Sequence, residues 1–387
     1  MKNIDRKDFI KKTSLVLGAG ATGVLASCGK KEENSSASIQ TKEKFEWKMV
    51  TTWPPHFPIM GEGADRFAKE VEVMSDGQLK IQVYGGGELI PPFETFDAVS
   101  QGMAEMGHSS AYYWAGKAPA AQFFPGVPFG MNPQETNAWL YYGGGLKLWE
   151  ELYSKFNLVP FPGGNTGAQM GGWFNKEINT IADIKGLKMR MPGIGGKVLT
   201  EAGGTTILSP AGEIYTNLER GVIDATEWVG PYHDYLMGFY KIAKYYYYPG
   251  WHEPSGELEL IVNKSAFSQL PNNLQEIIRI AAKALNISML SEFEKMNIEY
   301  LKKIEQEKSV EIKRFPDEVL NTFKNITKKV LTDITTKDEM SKKIYDSYSK
   351  FQKNISKWSN LNRDYWTVFS VNENWYNYMY LLNLSLL

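Results

Sequence analysis

The chain has 387 residues, which at roughly 100–200 residues per domain predicts about two domains. Hydrophobic residues make up 43% and charged residues 22%, values that are typical of globular proteins and exclude a disordered or fibrous chain. The 43 basic and 44 acidic side chains nearly cancel, so there is no basic field to bind nucleic acid. A single Cys excludes a disulfide framework and a multi-Cys zinc or iron–sulfur site, and the four His residues show no His-x-x-x-His spacing.

Residues 1–27 have the features of an export signal. Five basic side chains precede residues 13–26, which are small, apolar and uncharged, and too few for a typical transmembrane helix. The run ends in Leu-Ala-Ser-Cys, which resembles a bacterial lipobox and predicts lipid attachment at Cys28. The polar residues 28–44 then predict a flexible tether.

The export route stays open, because Arg6-Lys7 resembles a twin-arginine motif in which Lys7 replaces the second Arg. Residues 1–27 carry five positive and two negative side chains, so their removal changes the net charge from −1 to about −4. No later segment approaches about 18 uninterrupted apolar residues. We therefore predict a periplasmic protein that is held by lipid to the inner or the outer membrane.

The folded part alternates strand and helix patterns, which predicts the α/β class. Residues 45–52 and 79–84 have strand patterns, and between them residues 59–74 carry an apolar stripe at helical spacing. A further helix is predicted from Asn272 to about residue 307. At 1.5 Å per residue it would span roughly 50 Å, more than one lobe, so we expect it to bridge two. Another helix is predicted at about 337–369.

A weak internal repeat relates residues 94–105 to residues 213–224. Each copy predicts a short amphipathic helix, a glycine at its C-terminal end (Gly102 and Gly221), and then a strand. The segments that follow read MGHSSAYYW and TEWVGPYHD. Because ligands bind beyond the carboxyl ends of strands in open α/β sheets, we expect these segments to face each other across one cleft.

Three charged residues are candidates for the chemistry of that cleft. Arg190 ends an alternating strand pattern and is followed by Pro and Gly, so its fork could bind a carboxylate. Glu227 and Glu253 adjoin Trp228 and Trp251, where burial would require a partner. The alternatives stay open at this point: all three could be surface residues, and a carboxylate pair also occurs in glycoside hydrolases.

Several segments together resemble one known family. They are GGNTGAQMGGWF, LKMRMPGIGGKV, NLERGVIDATEWVGPYHD and YYPGWHEP, with AYYWAGKAPA and VPFGM nearer the N-terminus. They are similar to TRAP-transporter solute-binding proteins of the DctP type, and closest to the α-keto-acid-binding (TakP-like) branch. The resemblance covers roughly residues 45–370, and the sequence departs from the family mainly beyond Trp366.

The resemblance implies an α/β, two-lobed periplasmic-binding-protein-like fold with a central ligand cleft and a long bridging helix. The predicted divisions are a signal peptide (1–27), a tether (28–44), lobe I (45–165), lobe II (166–252), a return to lobe I with the hinge and long helix (253–300), and completion of lobe II with the C-terminal helices (301–387).

The resemblance also implies the ligand contacts. Arg190 would pair with the substrate carboxylate, and Gln169 would contact both ligand and cation. Glu227, the backbone carbonyl of Trp228, and Glu253 would supply oxygen ligands to the cation, with Glu253 also contacting substrate. Two acids, one monocarboxylate ligand and one Arg would leave −2 in a closed cleft, which calls for a cation. Oxygen ligands suit Na⁺ or Ca²⁺, and the choice between these two ions stays open.

In lobe I, Tyr112 and Tyr113 are the candidate ligand contacts, and only one of two adjacent strand residues is expected to face the cleft. The predicted function is to capture a small 2-oxo or 2-hydroxy monocarboxylate such as pyruvate and to deliver it to the permease subunits of a TRAP transporter. A homodimer through the C-terminal helix is a further possibility. The rivals are an exported lyase or hydrolase using Glu227 and Glu253, and a sensory lipoprotein. An enzyme is disfavoured because no nucleophile with an adjacent base is visible.

Overall fold

We describe the fold from a computed structural model, which describes residues 43–369 and the side chains of residues 43–361. The predicted signal peptide, the lipid attachment at Cys28, nearly all of the tether and the aromatic C-terminal tail lie outside the described residues. No helix within residues 43–369 is both long and apolar enough to cross a membrane.

The secondary structure alternates as the sequence patterns predict. The strands are β1 (Phe45–Thr51), β2 (Leu79–Tyr84), β3 (Met106–Ser109), β4 (Leu158–Asn165), β5 (Gly172–Phe174), β6 (Lys188–Arg190), β7 (Thr205–Ile207), β8 (Ala225–Thr226), β9 (Tyr245–Tyr248), β10 (Glu257–Asn263) and β11 (Glu311–Arg314). The helices are α1 (Met60–Met74), α2 (Thr95–Ser100), α3 (Pro133–Tyr142), α4 (Gly145–Ser154), α5 (Gly193–Glu201), α6 (Ala211–Glu219), α7 (Pro231–Leu236), α8 (Lys264–Gln269), α9 (Asn272–Gln306), α10 (Asp317–Lys337) and α11 (Glu339–Phe369).

The strands form two mixed sheets. Sheet I has the order β2-β1-β3-β10-β4, in which β1 runs parallel to β2 and β3 while β10 is antiparallel to both of its neighbours. Sheet II has the order β11-β9-β5-β8-β6-β7, in which β6 is parallel to β7 and β8 and β5 is antiparallel to its neighbours. Each sheet thus has one strand that runs against its neighbours: β10, a late strand, in sheet I, and β5, the first strand along the chain, in sheet II.

Local patterning explains why these segments fold as they do. In β2, Leu79 and Ile81 are buried while Lys80 and Gln82 are not, the alternation of a strand with one buried face. The buried positions of α1 recur at helical spacing and include Phe67 and Val71. The repeat also has its predicted structure, because α2 and α6 each end near a glycine with positive φ and lead into a strand.

The chain passes between the two sheets three times. Sheet I draws on residues 45–165 and 257–263, and sheet II on residues 172–248 and 311–314. The crossing segments are therefore residues 166–171, residues 249–256, and the stretch that contains α9. With 35 residues, α9 is about 52 Å long; it packs against β4 and α1 of the sheet I half and against α7 of the sheet II half. The long bridging helix is thus present with nearly the predicted bounds.

The C-terminal helix packs on a different part of the molecule from the one expected. We expected residues 301–387 to complete lobe II, and α10 does pack on α5. However, α11 packs on α3 and α4, which lie within the predicted lobe I. The backbone N–H of Met131 donates to Tyr348 Oη at 2.8 Å, and Lys343 lies 2.6 Å from Glu151. By its contacts, α11 therefore belongs with the sheet I half of the fold.

Candidate functional site

Arg190 and Glu227 meet at the carboxyl ends of two neighbouring parallel strands. Arg190 is the last residue of β6 and is paired in register with Thr226, the last residue of β8, so Glu227 follows at the same sheet edge. Both side chains are about 1% exposed, and Arg190 Nη1 donates directly to Glu227 Oε1 in a buried ion pair. The expected ligand-binding Arg and the expected cation-binding Glu therefore bind each other in this structure.

The remaining nitrogen atoms of Arg190 donate hydrogen bonds to oxygen atoms, and its guanidinium packs on an aromatic ring. Its Nε donates to the carbonyl of Ser209 at 3.4 Å, and Nη2 donates to Tyr113 Oη at 3.3 Å. The guanidinium carbon lies 5.0 Å from the ring centroid of Trp228, within the range of a cation–π contact. Burial alone would lower the pKa of Arg190, but the carboxylate of Glu227 together with Tyr112 and Tyr113 more than offsets this and raises it. The guanidinium therefore stays charged in a site that excludes water.

Gln169 and Glu253 come from two of the segments that cross between the sheets. Gln169 Nε2 donates to Glu253 Oε2 at 2.6 Å and to Thr166 Oγ1 at 3.0 Å, and its backbone N–H donates to the carbonyl of Glu253. Gln169 Oε1 is buried without a partner among the described residues. The pKa of Glu253 is raised well above its ordinary value by burial and by the charge of Glu227, which the charge of Arg190 opposes only in part.

Tyr112 and Tyr113 both face the cleft, so the expectation that only one of them would do so is wrong. The reason is local geometry: β3 ends at Ser109, and Ala111–Trp114 form a 3₁₀ turn instead of a strand. Successive side chains of such a turn do not alternate between opposite faces as they do in a strand. Burial raises the pKa of both tyrosines, and for Tyr112 the charge of Glu253 adds to the effect.

Two cavities adjoin at these tyrosines. The smaller, of about 10 Å³, is also lined by Gln169, Trp228 and Glu253, and so lies among the predicted ligand contacts. The larger, of about 770 Å³, is bordered by α5 and α10 and shares with it only the two tyrosines. The smaller cavity is the better candidate for the ligand site although its volume is much smaller, because Glu253 and Gln169 line it. Tyr112 and Tyr113 therefore separate a small polar cavity from a large outer one.

Some residues of the site were missed by sequence reasoning. His252 was given no role from the sequence, yet its side chain is buried and Nε2 lies 3.4 Å from Glu227 Oε2, without the geometry of a hydrogen bond. Trp53, in the loop after β1, packs edge-on against Trp228 with ring centroids 6.4 Å apart. The sequence did contain a signal for both residues, because each lies directly after a strand in a loop that contains Trp, Pro and His.

The oxygen atoms around the smaller cavity fit a hard cation. Among residues 43–361, no group of three or more His, Cys, Asp and Glu side chains is arranged to hold a metal ion. The candidate ligands are instead of mixed type. Three belong to residues that line the cavity: the carboxylate of Glu253, the unpartnered Gln169 Oε1, and the carbonyl of Trp228, which accepts no hydrogen bond from the described part of the chain. The fourth, the carboxylate of Glu227, does not line the cavity and adjoins it through Arg190, which contacts Tyr113. Carboxylate, amide and carbonyl oxygens bind ions such as Na⁺ or Ca²⁺, not zinc or copper.

Comparison with known proteins identifies the family. Residues 49–338 match the sequence profile of the bacterial extracellular solute-binding proteins, family 7, known as DctP. The chain belongs to the DctP family. A monocarboxylate 2-oxoacid-binding periplasmic protein of Nostoc sp. (strain PCC 7120) is 41% identical over 345 residues, which cover 89% of this chain and 93% of that protein.

Solved structures of TRAP periplasmic solute-binding proteins share the fold. One from Pseudoalteromonas atlantica, with bound sodium and pyruvate, is 43% identical with a TM-score of 0.82, covering 84% of this chain and 99% of that one. One from Colwellia psychrerythraea, with bound calcium and pyruvate, has the same identity, TM-score and coverage of this chain, and is covered in full. One from Bordetella bronchiseptica, with calcium and picolinate, is 38% identical with a TM-score of 0.83, covering 85% of this chain and 97% of that one.

These findings confirm the family resemblance and the α/β two-lobed fold. A DctP-family chain is a periplasmic solute-binding protein of TRAP transporters and not an enzyme, so the predicted class of function is confirmed as well. The roles of individual site residues, the lobe boundaries, the signal peptide and the lipid anchor stay predictions.

Proposed function

We propose that this chain binds a small 2-oxo or 2-hydroxy monocarboxylate such as pyruvate together with Na⁺ or Ca²⁺, and delivers it to the permease subunits of a TRAP transporter. The observation that carries the proposal is the buried Arg190 at the cleft, with carboxylate, amide and carbonyl oxygens grouped beside it. An Arg fork recognises a carboxylate, and the neighbouring oxygens recognise a cation, so the two halves of the site suit an anion and a metal ion bound together.

The charges of the site explain why a cation is needed. Arg190 is already paired with Glu227, so a ligand carboxylate entering beside them would bring a negative charge that no protein cation balances. With Glu253 ionised as well, the closed site would hold −2, which is costly at low dielectric. Na⁺ would reduce this to −1 and Ca²⁺ to zero. The raised pKa of Glu253 is consistent with the same shortage of positive charge.

In this account each residue has a distinct role. Arg190 holds the ligand carboxylate, while Gln169 contacts ligand and cation. Glu227, Glu253 and the backbone carbonyl of Trp228 hold the cation, and Glu253 also contacts the ligand. The cation supplies the positive charge that the ligand oxygens require. Relatives support this reading, because the similar Nostoc protein is named for 2-oxo acids and two similar structures contain pyruvate.

The cavities favour a short ligand. The polar cavity is only about 10 Å³, and Tyr112 and Tyr113 separate it from the outer cavity of about 770 Å³. That volume has room for about one water molecule, so even pyruvate would have to widen the cavity, and a longer acid would have to widen it further. A longer aliphatic chain would have to displace at least one tyrosine ring. We therefore place pyruvate-sized acids ahead of longer 2-oxo acids.

A thermal-shift screen of the purified chain tests the proposal. Small 2-oxo, 2-hydroxy and dicarboxylic acids are each combined with Na⁺, Ca²⁺ or chelator. A ligand at about 100 times its dissociation constant stabilises the folded state by roughly 2.7 kcal/mol, which moves the melting temperature by a measurable amount. We expect a shift with 2-oxo acids that disappears without cation and is reduced in Glu253→Gln. No shift with any acid would contradict the proposed ligand class.

Membrane attachment and assembly are separate parts of the proposal. We propose that Cys28 carries the lipid, which anchors the protein to the membrane beside its permease. Mass spectrometry of the mature N-terminus tests this, and a Cys28→Ser chain should be released into the soluble periplasmic fraction. A homodimer formed through the C-terminal helix is tested by light scattering, in which a monomer at working concentration would contradict it.

A further inference from the structure

Two Trp–His pairs flank the small cavity. On the sheet II side, Trp228 Nε1 donates to His233 Nδ1 at 3.2 Å; on the sheet I side, Trp53 Nε1 donates to His108 Nδ1 at 2.8 Å. An indole nitrogen can only donate, so in both histidines Nδ1 accepts and Nε2 carries the proton. His108 Nε2 then donates to the carbonyl of Gly163, also at 2.8 Å. Both indole rings are thus held by a buried, neutral imidazole.

The backbone carbonyls of the two tryptophans differ, however. The Trp53 carbonyl accepts hydrogen bonds from the backbone N–H of Gly86 at 2.6 Å and from Thr51 Oγ1 at 3.0 Å. The Trp228 carbonyl accepts none from residues 43–361. Trp228 lines the small cavity, where Gln169 Oε1 is likewise buried and unpartnered. Of these two carbonyls, only that of Trp228 is thus without a hydrogen-bond partner among the described residues.

The direction of the Trp228 carbonyl follows from the next peptide group. The backbone N–H of Val229 donates to Asp234 Oδ1 at 3.2 Å. The carbonyl of Trp228 and the N–H of Val229 belong to one planar trans peptide, in which the two groups point in opposite directions. With the N–H held on Asp234, the carbonyl must point away from Asp234.

Asp234 itself is rigidly held. Its Oδ2 accepts from Trp173 Nε1 at 3.1 Å and from Tyr246 Oη at 2.8 Å, and its side chain is fully buried. These donors come from β5 and β9, two adjacent interior strands of sheet II. The direction of the Trp228 carbonyl is therefore tied to the sheet rather than to a free loop.

We propose that Asp234 is a positioning residue that aims the Trp228 carbonyl at the bound cation. This inference rests on the proposed function, because it concerns the same cation. It adds a residue that contacts neither ligand nor cation and acts through one peptide group. Residues that orient metal ligands in this way typically contribute about 10- to 100-fold to metal affinity.

The test is a calorimetric titration of pyruvate into the full chain at a series of Na⁺ or Ca²⁺ concentrations, giving the cation concentration at half-maximal binding. We expect Asp234→Ala to raise that concentration roughly 10-fold or more. Where Asp234→Ala does not fold, Asp234→Asn is used, because one amide oxygen cannot serve both Val229 and the Trp173–Tyr246 donors. It should also raise the half-maximal concentration, by a smaller factor.

The matched control is His108→Phe. This variant removes the hydrogen bond between Trp53 and His108 on the other side of the cavity, and it leaves the peptide group between Trp228 and Val229 untouched. The Trp53 carbonyl already accepts two hydrogen bonds. The variant should therefore lower the melting temperature without changing the half-maximal cation concentration. If Asp234→Ala and Asp234→Asn lower the melting temperature alone, with unchanged cation dependence, Asp234 is only structural and the inference is overturned. A wild-type chain that binds pyruvate without any cation overturns the inference but keeps the binding function. A wild-type chain that does not bind refutes the proposed function itself.

Discussion

Replacing Arg190 by Lys separates recognition by a fork from recognition by charge alone. Arg190 is about 1% exposed and combines its ion pair to Glu227 with hydrogen bonds to the Ser209 carbonyl and to Tyr113 Oη, 3.4 and 3.3 Å away. A Lys ammonium is a compact point charge and could keep the ion pair with Glu227. It lacks the planar guanidinium, so it cannot also bind the Ser209 carbonyl and Tyr113 Oη. The variant therefore keeps the charge of the site and removes its geometry.

The expected loss of affinity is that of one hydrogen bond between the fork and the ligand carboxylate. A hydrogen bond to a charged group contributes about 1.5–3 kcal/mol, so losing one should weaken ligand binding roughly 10- to 100-fold. The assay is a calorimetric titration with pyruvate at saturating cation, with the melting temperature of the ligand-free chain measured in parallel. Lys188→Ala is the control, because Lys188 is exposed at the opposite end of the same strand and should leave the affinity unchanged.

Two results would refute the reasoning. Unchanged affinity in Arg190→Lys would mean that the fork does not hold the ligand carboxylate. An equal loss in Arg190→Lys and Lys188→Ala would mean that strand β6, and not the guanidinium, determines binding.

Three further substitutions give independent tests. In Gly256→Ala, the new Cβ would lie 2.7 Å from Gln169 Nε2 and would also clash with Thr166, so the Gln169 side chain would have to move. Titration should then show that pyruvate binds roughly tenfold more weakly. Unchanged affinity would exclude Gln169 from the site. Tyr112→Ala joins the two cavities, and relative affinities should shift towards longer 2-oxo acids; an unchanged ratio would show that the ring does not limit ligand length. Burial raises the pKa of Glu257 from 4.5 to about 8, so the folded state favours the protonated carboxyl. The protonated carboxyl contributes fully to stability below about pH 4.5, and this contribution is lost as the pH rises through about 8. The free energy of unfolding should therefore fall by a few kcal/mol over that range, and by less in Glu257→Gln; equal slopes in denaturant titrations would contradict this assignment.

Much of the fold could be predicted because it depends on local periodicity. The long helix α9 was predicted from Asn272 to about residue 307 and ends at Gln306. The internal repeat was recognised from two glycines, and Gly102 and Gly221 do adopt positive φ, +77° and +70°, beside the ends of their helices. These features involve residues that are close in sequence, so a single chain segment carries the information.

The less predictable features depend on contacts between distant segments. The pairing of Arg190 with Glu227, 37 residues apart, follows from β6 and β8 being neighbours in sheet II, which periodicity does not reveal. The orientation of Tyr112 depended on β3 ending at Ser109, and the end of a strand is a weak signal in sequence. The position of α11 depended on which buried surface its apolar stripe covers. Residue types thus indicated the chemistry of the site, while sheet order decided which groups meet.

The most direct test of the central claim is a calorimetric titration of pyruvate into the purified chain in three buffers. One contains Na⁺, one contains Ca²⁺, and one contains chelator with choline as the only added cation. The account predicts saturable binding with at least one of the two metal ions and none in the choline buffer, because the Arg190–Glu227 pair leaves no free positive charge for the ligand. Binding of equal affinity in all three buffers would contradict the metal-assisted site, and the absence of binding in every buffer would contradict the proposed ligand.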